Sequence, residues 1–141
     1  MRIGLYSELA RSQIVKARRE IESLGIGTSE ADIRGFRRLL AESHDENHQQ
    51  LTSSSDFFSL SSLRDLIFHA QEHRFTLPQV KNCLNELGLR FCGFEDGDIV
   101  SRFKGFHGEG SDVCDLVLWN QFEESEPKTF GRMYQFWCQK I

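Results

Sequence analysis

The stretch that decides the fold class is TLPQVKNCLNELGLRFCGFE, residues 76–95. Its first half predicts a helix, because Thr76 and Gln79 have the spacing of a capping box. Apolar side chains then recur at helical spacing as far as Gly88, which predicts the end of the helix. The segment Leu89–Glu95 alternates side chains in the manner of a strand with both faces partly covered. A helix that leads directly into such a strand indicates an α/β fold.

Two further strands are predicted outward from this stretch, near the ends of the chain. Met1–Ser7 alternates apolar and smaller side chains and then reaches a polar turn, and Met133–Lys140 is rich in aromatic, β-prone residues. Helical periodicity predicts the remaining helices at 8–24, 29–40, 61–73, 99–103 and 116–122. We therefore expect a single domain, residues 1–141, in which several helices cover a small three-stranded sheet.

The stretch 42–55 differs from its surroundings. It contains the run SHDENHQQ at 43–50 and three consecutive serines at 53–55, with almost no apolar side chains. Such a composition is typical of a mobile surface loop, which is the prediction for these residues.

Composition excludes several classes of protein. The chain has 39% hydrophobic residues, twelve Phe and two Trp, enough for a folded core. Its 17 basic and 21 acidic residues give a net charge of -4, so we expect no nucleic-acid partner. No apolar stretch approaches the length of a membrane span, and the first residues do not resemble a secretory signal. We expect a cytoplasmic protein that does not bind membranes.

The four cysteines, Cys83, Cys92, Cys114 and Cys138, form no C-x-x-C pair. Three of them lie in apolar patterns. We expect reduced thiols in the core, in preference to disulfides or zinc ligands.

Three blocks of the sequence together resemble a known family. They are MRIGLYSE at 1–8, RDLIFHAQEHRFTLP at 64–78 and MYQFW at 133–137. They resemble the C-terminal part of the class I S-adenosylmethionine-dependent methyltransferases, in particular a bacterial type often joined to tetratricopeptide repeats. The resemblance implies part of a Rossmann-like fold. Met1–Ser7 would be the fifth strand, Leu89–Glu95 the sixth, and Met133–Lys140 the antiparallel seventh strand inserted between them.

The same resemblance implies that the donor-binding half is missing. In the family, a glycine-rich turn after the first strand and an acidic residue after the second hold S-adenosylmethionine. Gly105, Gly108 and Gly110 do not replace that turn, because no convincing buried strand precedes them. We expect no cofactor for this chain alone, although complete relatives bind S-adenosylmethionine.

Two functions follow from the resemblance. The first is a methyltransferase-like binding or accessory domain that is not catalytic alone. The second is the acceptor-side part of a methyltransferase that another chain completes. The acceptor-side candidates are Tyr6, Glu8, His69, Glu72 and His73, since ligands gather at the carboxyl ends of the strands. For Tyr6 and Glu8 taken singly, packing and a favourable charge at a helix start explain the residues at least as well.

The pattern His69-x-x-Glu72-His73 also matches the H-x-x-E-H order of inverted zincins. On a continuous helix the two imidazoles would lie one turn apart and could bind zinc, with Glu72 free to activate water. A pair of histidines at this spacing also arises often by chance, and imidazoles beside an apolar stripe can simply hydrogen-bond. Zinc hydrolysis is therefore the weaker alternative.

The first strand carries a prediction about partners. In the family its outer edge is covered by the fourth strand, which this sequence does not contain. An open edge pairs readily with another chain. We expect a homo-oligomer, or a partner chain that covers the first strand.

Overall fold

A computed structural model describes residues 1–68, 72–131 and 133–141. The chain divides into two compact units. One consists of Met1–Arg11 with His73–Ile141, and the other of Ser12–Glu72. They are called the sheet unit and the helical unit below, and each is described by itself.

The chain starts in the sheet unit, passes once through the helical unit and then returns to the sheet unit. The helical unit contains α1 (Ser12–Ser23), α2 (Glu30–Glu42), α3 (Glu46–Thr52) and α4 (Leu60–Leu63), with a 3₁₀ turn at Ser55–Phe58 and a π-helical turn at Arg64–Phe68. The sheet unit contains β1 (Arg2–Ser7), β2 (Arg74–Phe75), α5 (Leu77–Glu86), β3 (Leu89–Phe94), α6 (Gly97–His107), α7 (Leu116–Ser125) and β4 (Met133–Lys140).

Among the described residues four strands form one sheet, in the order β2-β1-β4-β3. The α/β class is confirmed, but the prediction of three strands is wrong, because β2 adds a short parallel strand beside β1. The last strand, β4, is antiparallel to both β1 and β3 and lies between them. This is the strand placement that the resemblance implied.

Several helix boundaries predicted from capping patterns are confirmed. Both capping boxes are present, at Ser29 with Asp32 and at Thr76 with Gln79. Gly25 and Gly88 follow their helices with φ of +63°, a conformation that favours glycine.

In the helical unit, the stretch 42–55 contains the helix α3, where the sequence predicted a loop. Asp45 caps this helix by accepting hydrogen bonds from the backbone N–H groups of Asn47 and His48. His48 and Leu51 are buried, and the Nε2 atom of His48 lies 2.6 Å from a carboxylate oxygen of Glu20 in α1. A cap and two buried side chains are enough to hold this polar segment as a helix.

The predicted helix over 61–73 is also different. The regular helix α4 is one turn long, and the chain continues as the π-helical turn to Phe68. Glu72 and His73 lie outside helices and strands. Of the predicted apolar stripe, Leu63, Leu66 and Ile67 are nevertheless buried, and Ala70 lies outside the described residues.

In the sheet unit, aromatic side chains make up much of the core. The rings of Phe103 and Trp119 stack with centroids 4.0 Å apart, and the Phe94 ring meets that of Trp119 at 4.7 Å. The indole Nε1 of Trp119 donates to the carbonyl of Val113 at 2.9 Å, so this buried polar group is satisfied. The aromatic residues Tyr134 and Phe136 of β4 belong to the same core.

The cysteine prediction holds only in part. All four thiols are free, but Cys83, Cys92 and Cys114 are exposed, and Cys138 alone of them is buried. Cys83 and Cys92 sit within predicted elements but on their outward faces, which apolar neighbours in the sequence do not reveal.

In the described parts of the chain, the helices all lack the length and apolar character needed to cross a membrane.

Candidate functional site

Polar residues are buried at the end of the sheet where β1 reaches its carboxyl end. β2 runs parallel to β1, and Tyr6 pairs with Arg74 and Ser7 with Phe75. β4 begins at the same edge, because it is antiparallel to β1 and its Tyr134 pairs with Leu5. Side chains from the end of β1 and from the start of β4 therefore meet here.

The centre of this site is Glu123, a carboxylate on α7 with only 1% of its surface exposed. The hydroxyl of Ser7 donates to its Oε1 at 2.5 Å, and the hydroxyl of Tyr134 donates to its Oε2 at 2.8 Å. The Oγ atom of Ser7 also accepts a hydrogen bond from the backbone N–H of Ala10 at 3.1 Å. One carboxyl group thus joins β1, β4 and α7, and we call Ser7, Glu123 and Tyr134 the carboxylate cluster.

Burial dominates the electrostatics of the carboxylate cluster. It raises the pKa of Glu123, and the hydrogen bonds from Ser7 and Tyr134 offset part of that rise because they stabilise the ionised form. Burial also raises the pKa of Tyr134, and the Glu123 carboxylate raises it further. The phenol therefore stays protonated at neutral pH and remains a hydrogen-bond donor.

Two of the predicted acceptor-side residues, Tyr6 and Glu8, flank Ser7 along the chain. The backbone N–H of Glu8 donates to the carbonyl of Phe75 at 3.0 Å, and the charge of Glu8 raises the pKa of Tyr134. The ring of Tyr6 carries the guanidinium of Arg11 at 4.5 Å from its centroid, a cation–π contact by a cation that is 4% exposed. Glu8 therefore lies near the cluster, whereas the side chain of Tyr6 points to the opposite face of the sheet from that of Ser7.

This arrangement has a defined chemical capacity. A carboxyl group whose pKa is raised can take up a proton, and a hydroxyl bonded to it can pass that proton on. Ser7 both accepts from a backbone N–H and donates to Glu123, so it is held in one orientation. The same contacts also fix the end of β1 against α7, so the cluster has a structural role whether or not it transfers a proton.

Comparison with known protein families and with curated proteins gives no match.

The glycine-rich segment does not fit a nucleotide-like donor. Gly105 lies inside α6, and Gly108 ends that helix with its N–H bonded to the carbonyl of Lys104 at 2.7 Å. A donor-binding turn of the Rossmann type lies between a strand and the start of a helix, whereas this one follows a helix end. Gly105 and Gly108 therefore do not form a turn of that type.

Of the other three predicted site residues, Glu72 and His73 have no contact with the carboxylate cluster among those described. His69 falls outside the described residues. Glu72 is bound in the helical unit, where its Oε2 accepts from a guanidinium nitrogen of Arg18 at 3.1 Å. His73 is exposed and belongs to the sheet unit. The zinc alternative requires a continuous helix that runs through Glu72 and His73, and neither of these two residues lies in a helix.

Sequence reasoning did not select Glu123, Ser7 or Arg11. A signal for Glu123 exists: it lies seven residues after Leu116 and four after Trp119, on the apolar stripe of α7. A carboxylate at such a position is buried on one face of the helix and therefore needs hydrogen-bond donors. The sequence gives no means of locating those donors, because they come from β1 and β4.

Proposed function

We propose that this chain is a methyltransferase-like acceptor-side domain, which binds a substrate or partner and is not catalytic alone. The observation that carries the proposal is the position of β4, antiparallel and inserted between β1 and β3. The resemblance implied that arrangement from three separate blocks of sequence. The carboxylate cluster at the carboxyl end of β1 supports it further, since α/β folds bind ligands at that edge.

The proposed binding surface consists of Tyr6 and Glu8 at the carboxyl end of β1, and the buried carboxylate cluster holds that end in place from the other face of the sheet. Glu8 is an exposed acid at the end of β1, while Glu123 is a buried one that holds its neighbours in place. We assign Glu8 and Tyr6 to contact with the acceptor and Glu123 to positioning. The domain supplies no donor site, so methyl transfer requires residues that it does not contain.

A second function has its own support in the outer edge of β1. Only Tyr6 and Ser7 pair with β2, so in the described part of the chain Arg2–Leu5 have no strand partner on that side. An added strand would fit this open length of edge. In this alternative, a partner chain with the donor-binding half completes the sheet, and methyl transfer occurs in the complex.

Two measurements test the first proposal. Calorimetric titration with S-adenosylmethionine and with its demethylated product should show no binding to the chain alone, and micromolar binding of either would overturn the proposal.

The second measurement is a set of amide NMR spectra recorded with four small acceptor mimics: an alkylamine, a carboxylate, an imidazole and a phenol. At least one of them should shift the signals of residues 6–8. The Glu8→Gln variant should weaken that response, and the exposed Glu109→Gln serves as the matched control. Absence of any shift at residues 6–8 would also overturn it.

The state of association decides whether a second copy of this chain, or a different partner, covers the outer edge of β1. Sedimentation equilibrium of the chain at increasing concentration should show self-association if β1 edges pair with each other. Arg2–Leu5 amides should then become protected from hydrogen exchange. If the chain stays monomeric and these amides stay unprotected, the homo-oligomer is excluded, and the edge of β1 remains open to a different partner.

A further inference from the structure

A cleft of about 720 Å³ runs beside β3, on the opposite side of the sheet from β2. Four consecutive strand residues, Leu89–Cys92, line it, together with α5 and the segment that leads into α7. Consecutive side chains of a strand point to opposite faces of the sheet. A cleft that touches all four therefore follows the edge of the strand, and not one of its faces.

The backbone at this edge is available for pairing. In the described chain β3 pairs only with β4. The N–H of Ile141 donates to the carbonyl of Gly88 at 3.1 Å, so the carbonyl of Gly88 faces β4. Positions that hydrogen-bond to the neighbouring strand alternate along an antiparallel pair, so the backbone groups of Arg90 also face β4. The N–H and C=O groups of Leu89 and Phe91 consequently point outward, into the cleft.

The walls of the cleft specify the chemistry of an occupant. Leu84 and Leu116 are buried apolar residues that also line the cleft, so they offer an apolar floor. Lys81 lies on the α5 side, and Asp112 and Asp115 lie on the side of the segment before α7. The cleft thus carries Lys81 on one wall and carboxylates on the other, with Arg90 on the strand.

The length of the exposed edge is limited by a bulge. The register of β3 against β4 shifts between Phe91 and Gly93, which leaves Cys92 without a paired residue. A bulge bends the strand and interrupts regular pairing. An added strand would run along Leu89–Phe91 and end at Cys92, so the matching occupant is short.

We propose that this cleft binds a short extended peptide segment of another protein, which pairs with β3 as an additional strand. Its apolar side chain lies on Leu84 and Leu116, an acidic side chain faces Lys81, and a basic side chain faces Asp112. Strand addition of this kind takes its affinity from backbone hydrogen bonds and its specificity from side-chain pockets and charges. The proposal does not depend on the methyltransferase-like function, because it concerns the other edge of the sheet.

The test uses ¹⁵N NMR of the full chain with a capped pentapeptide of glutamate, isoleucine, threonine, isoleucine and lysine, in that order and in the reverse order. One order should shift the amide signals of residues 89–92 and 112–116 at millimolar peptide. Peptides N-methylated at alternate positions provide the decisive control. Removing the N–H groups that face β3 should abolish binding, and methylating the alternate set should preserve it.

A charge variant tests the side-chain part. Lys81→Ala should weaken binding of the better peptide about two- to fivefold, the effect expected for one exposed charge pair. Lys128→Ala, an exposed lysine outside the cleft, should leave it unchanged. No shift with either peptide, or equal binding of both methylated forms, would overturn the proposal. So would shifts at residues 89–92 that arise from concentrating the chain without peptide, because the occupant would then be a second copy.

Discussion

Removing the hydroxyl of Tyr134 tests the carboxylate cluster most directly. In Tyr134→Phe the Oε2 atom of Glu123 loses a hydrogen bond of 2.8 Å in a buried environment. Hydrogen bonds to charged groups contribute about 1.5–3 kcal/mol, whereas bonds between neutral groups contribute about 1 kcal/mol. We therefore expect the variant to lose about 2 kcal/mol of unfolding free energy when Glu123 is ionised, and about half of that when it is protonated.

The sign of the pH dependence follows from the direction of the pKa shift. Burial already raises the pKa of Glu123 in the folded chain, so ionisation on raising the pH costs stability. The Tyr134 hydroxyl reduces this cost because it stabilises the carboxylate. Without it the pKa rises further, and the difference between wild type and Tyr134→Phe should grow between pH 4.5 and pH 8.

Urea unfolding followed by tryptophan fluorescence is the suitable assay. Both tryptophans, Trp119 and Trp137, belong to the sheet unit, so the signal reports on the unit that contains the cluster. A loss of about 2 kcal/mol corresponds to a midpoint lower by about 1 M urea. Tyr6→Phe is the matched control, because the Tyr6 hydroxyl makes no hydrogen bond to another described residue, and it should change stability by less than about 0.5 kcal/mol. Equal losses in the two variants, or a loss that is the same at pH 4.5 and pH 8, would refute the reasoning.

Three further predictions concern single side chains. Glu123→Gln cannot ionise, so its stability relative to wild type should improve as the pH rises through the raised pKa of Glu123, and a constant difference across urea titrations from pH 4.5 to pH 8 would contradict the assignment. Burial first, and then the Asp112 carboxylate, raise the pKa of Cys114, so Asp112→Asn should speed alkylation of Cys114 by iodoacetamide at pH 8; peptide mass spectrometry measures the rate, and an unchanged rate argues against that influence. Thr76→Ala removes the cap of α5 and should cost about 1 kcal/mol in urea unfolding, while a loss below about 0.3 kcal/mol would mean that the capping box contributes little.

The parts of the fold that local chemistry determines were predictable from sequence. α5 begins and ends where Thr76, Gln79 and Gly88 indicate, because each of these signals acts within one helical turn. β2 was not predictable, since two residues carry no periodicity and their role depends on pairing with β1, far away in the sequence. The helix α3 was missed because its polarity outweighed two buried side chains and one cap.

The candidate site was predictable only at one of its sides. Tyr6 and Glu8 follow from the rule that ligands gather at the carboxyl ends of strands, which requires only that β1 be recognised. Glu123 and Tyr134 come together with Ser7 only through the tertiary arrangement of α7 and β4. No pattern within α7 or β4 indicates that Ser7 of β1 supplies one of the donors.

The central position of β4 has a consequence for the order in which the protein folds. Met1 and Cys138, which bond to each other across β1 and β4, are 137 positions apart. Closing a loop of that length costs about 4 kcal/mol in chain entropy, and it cannot occur before β4 has left the ribosome. The helical unit is contiguous and has no such requirement. During synthesis β1 therefore stays without its main neighbour β4 while the segment between them forms its helices. The rate of translation, and not the folding rate of β1, then sets how long this strand edge is exposed.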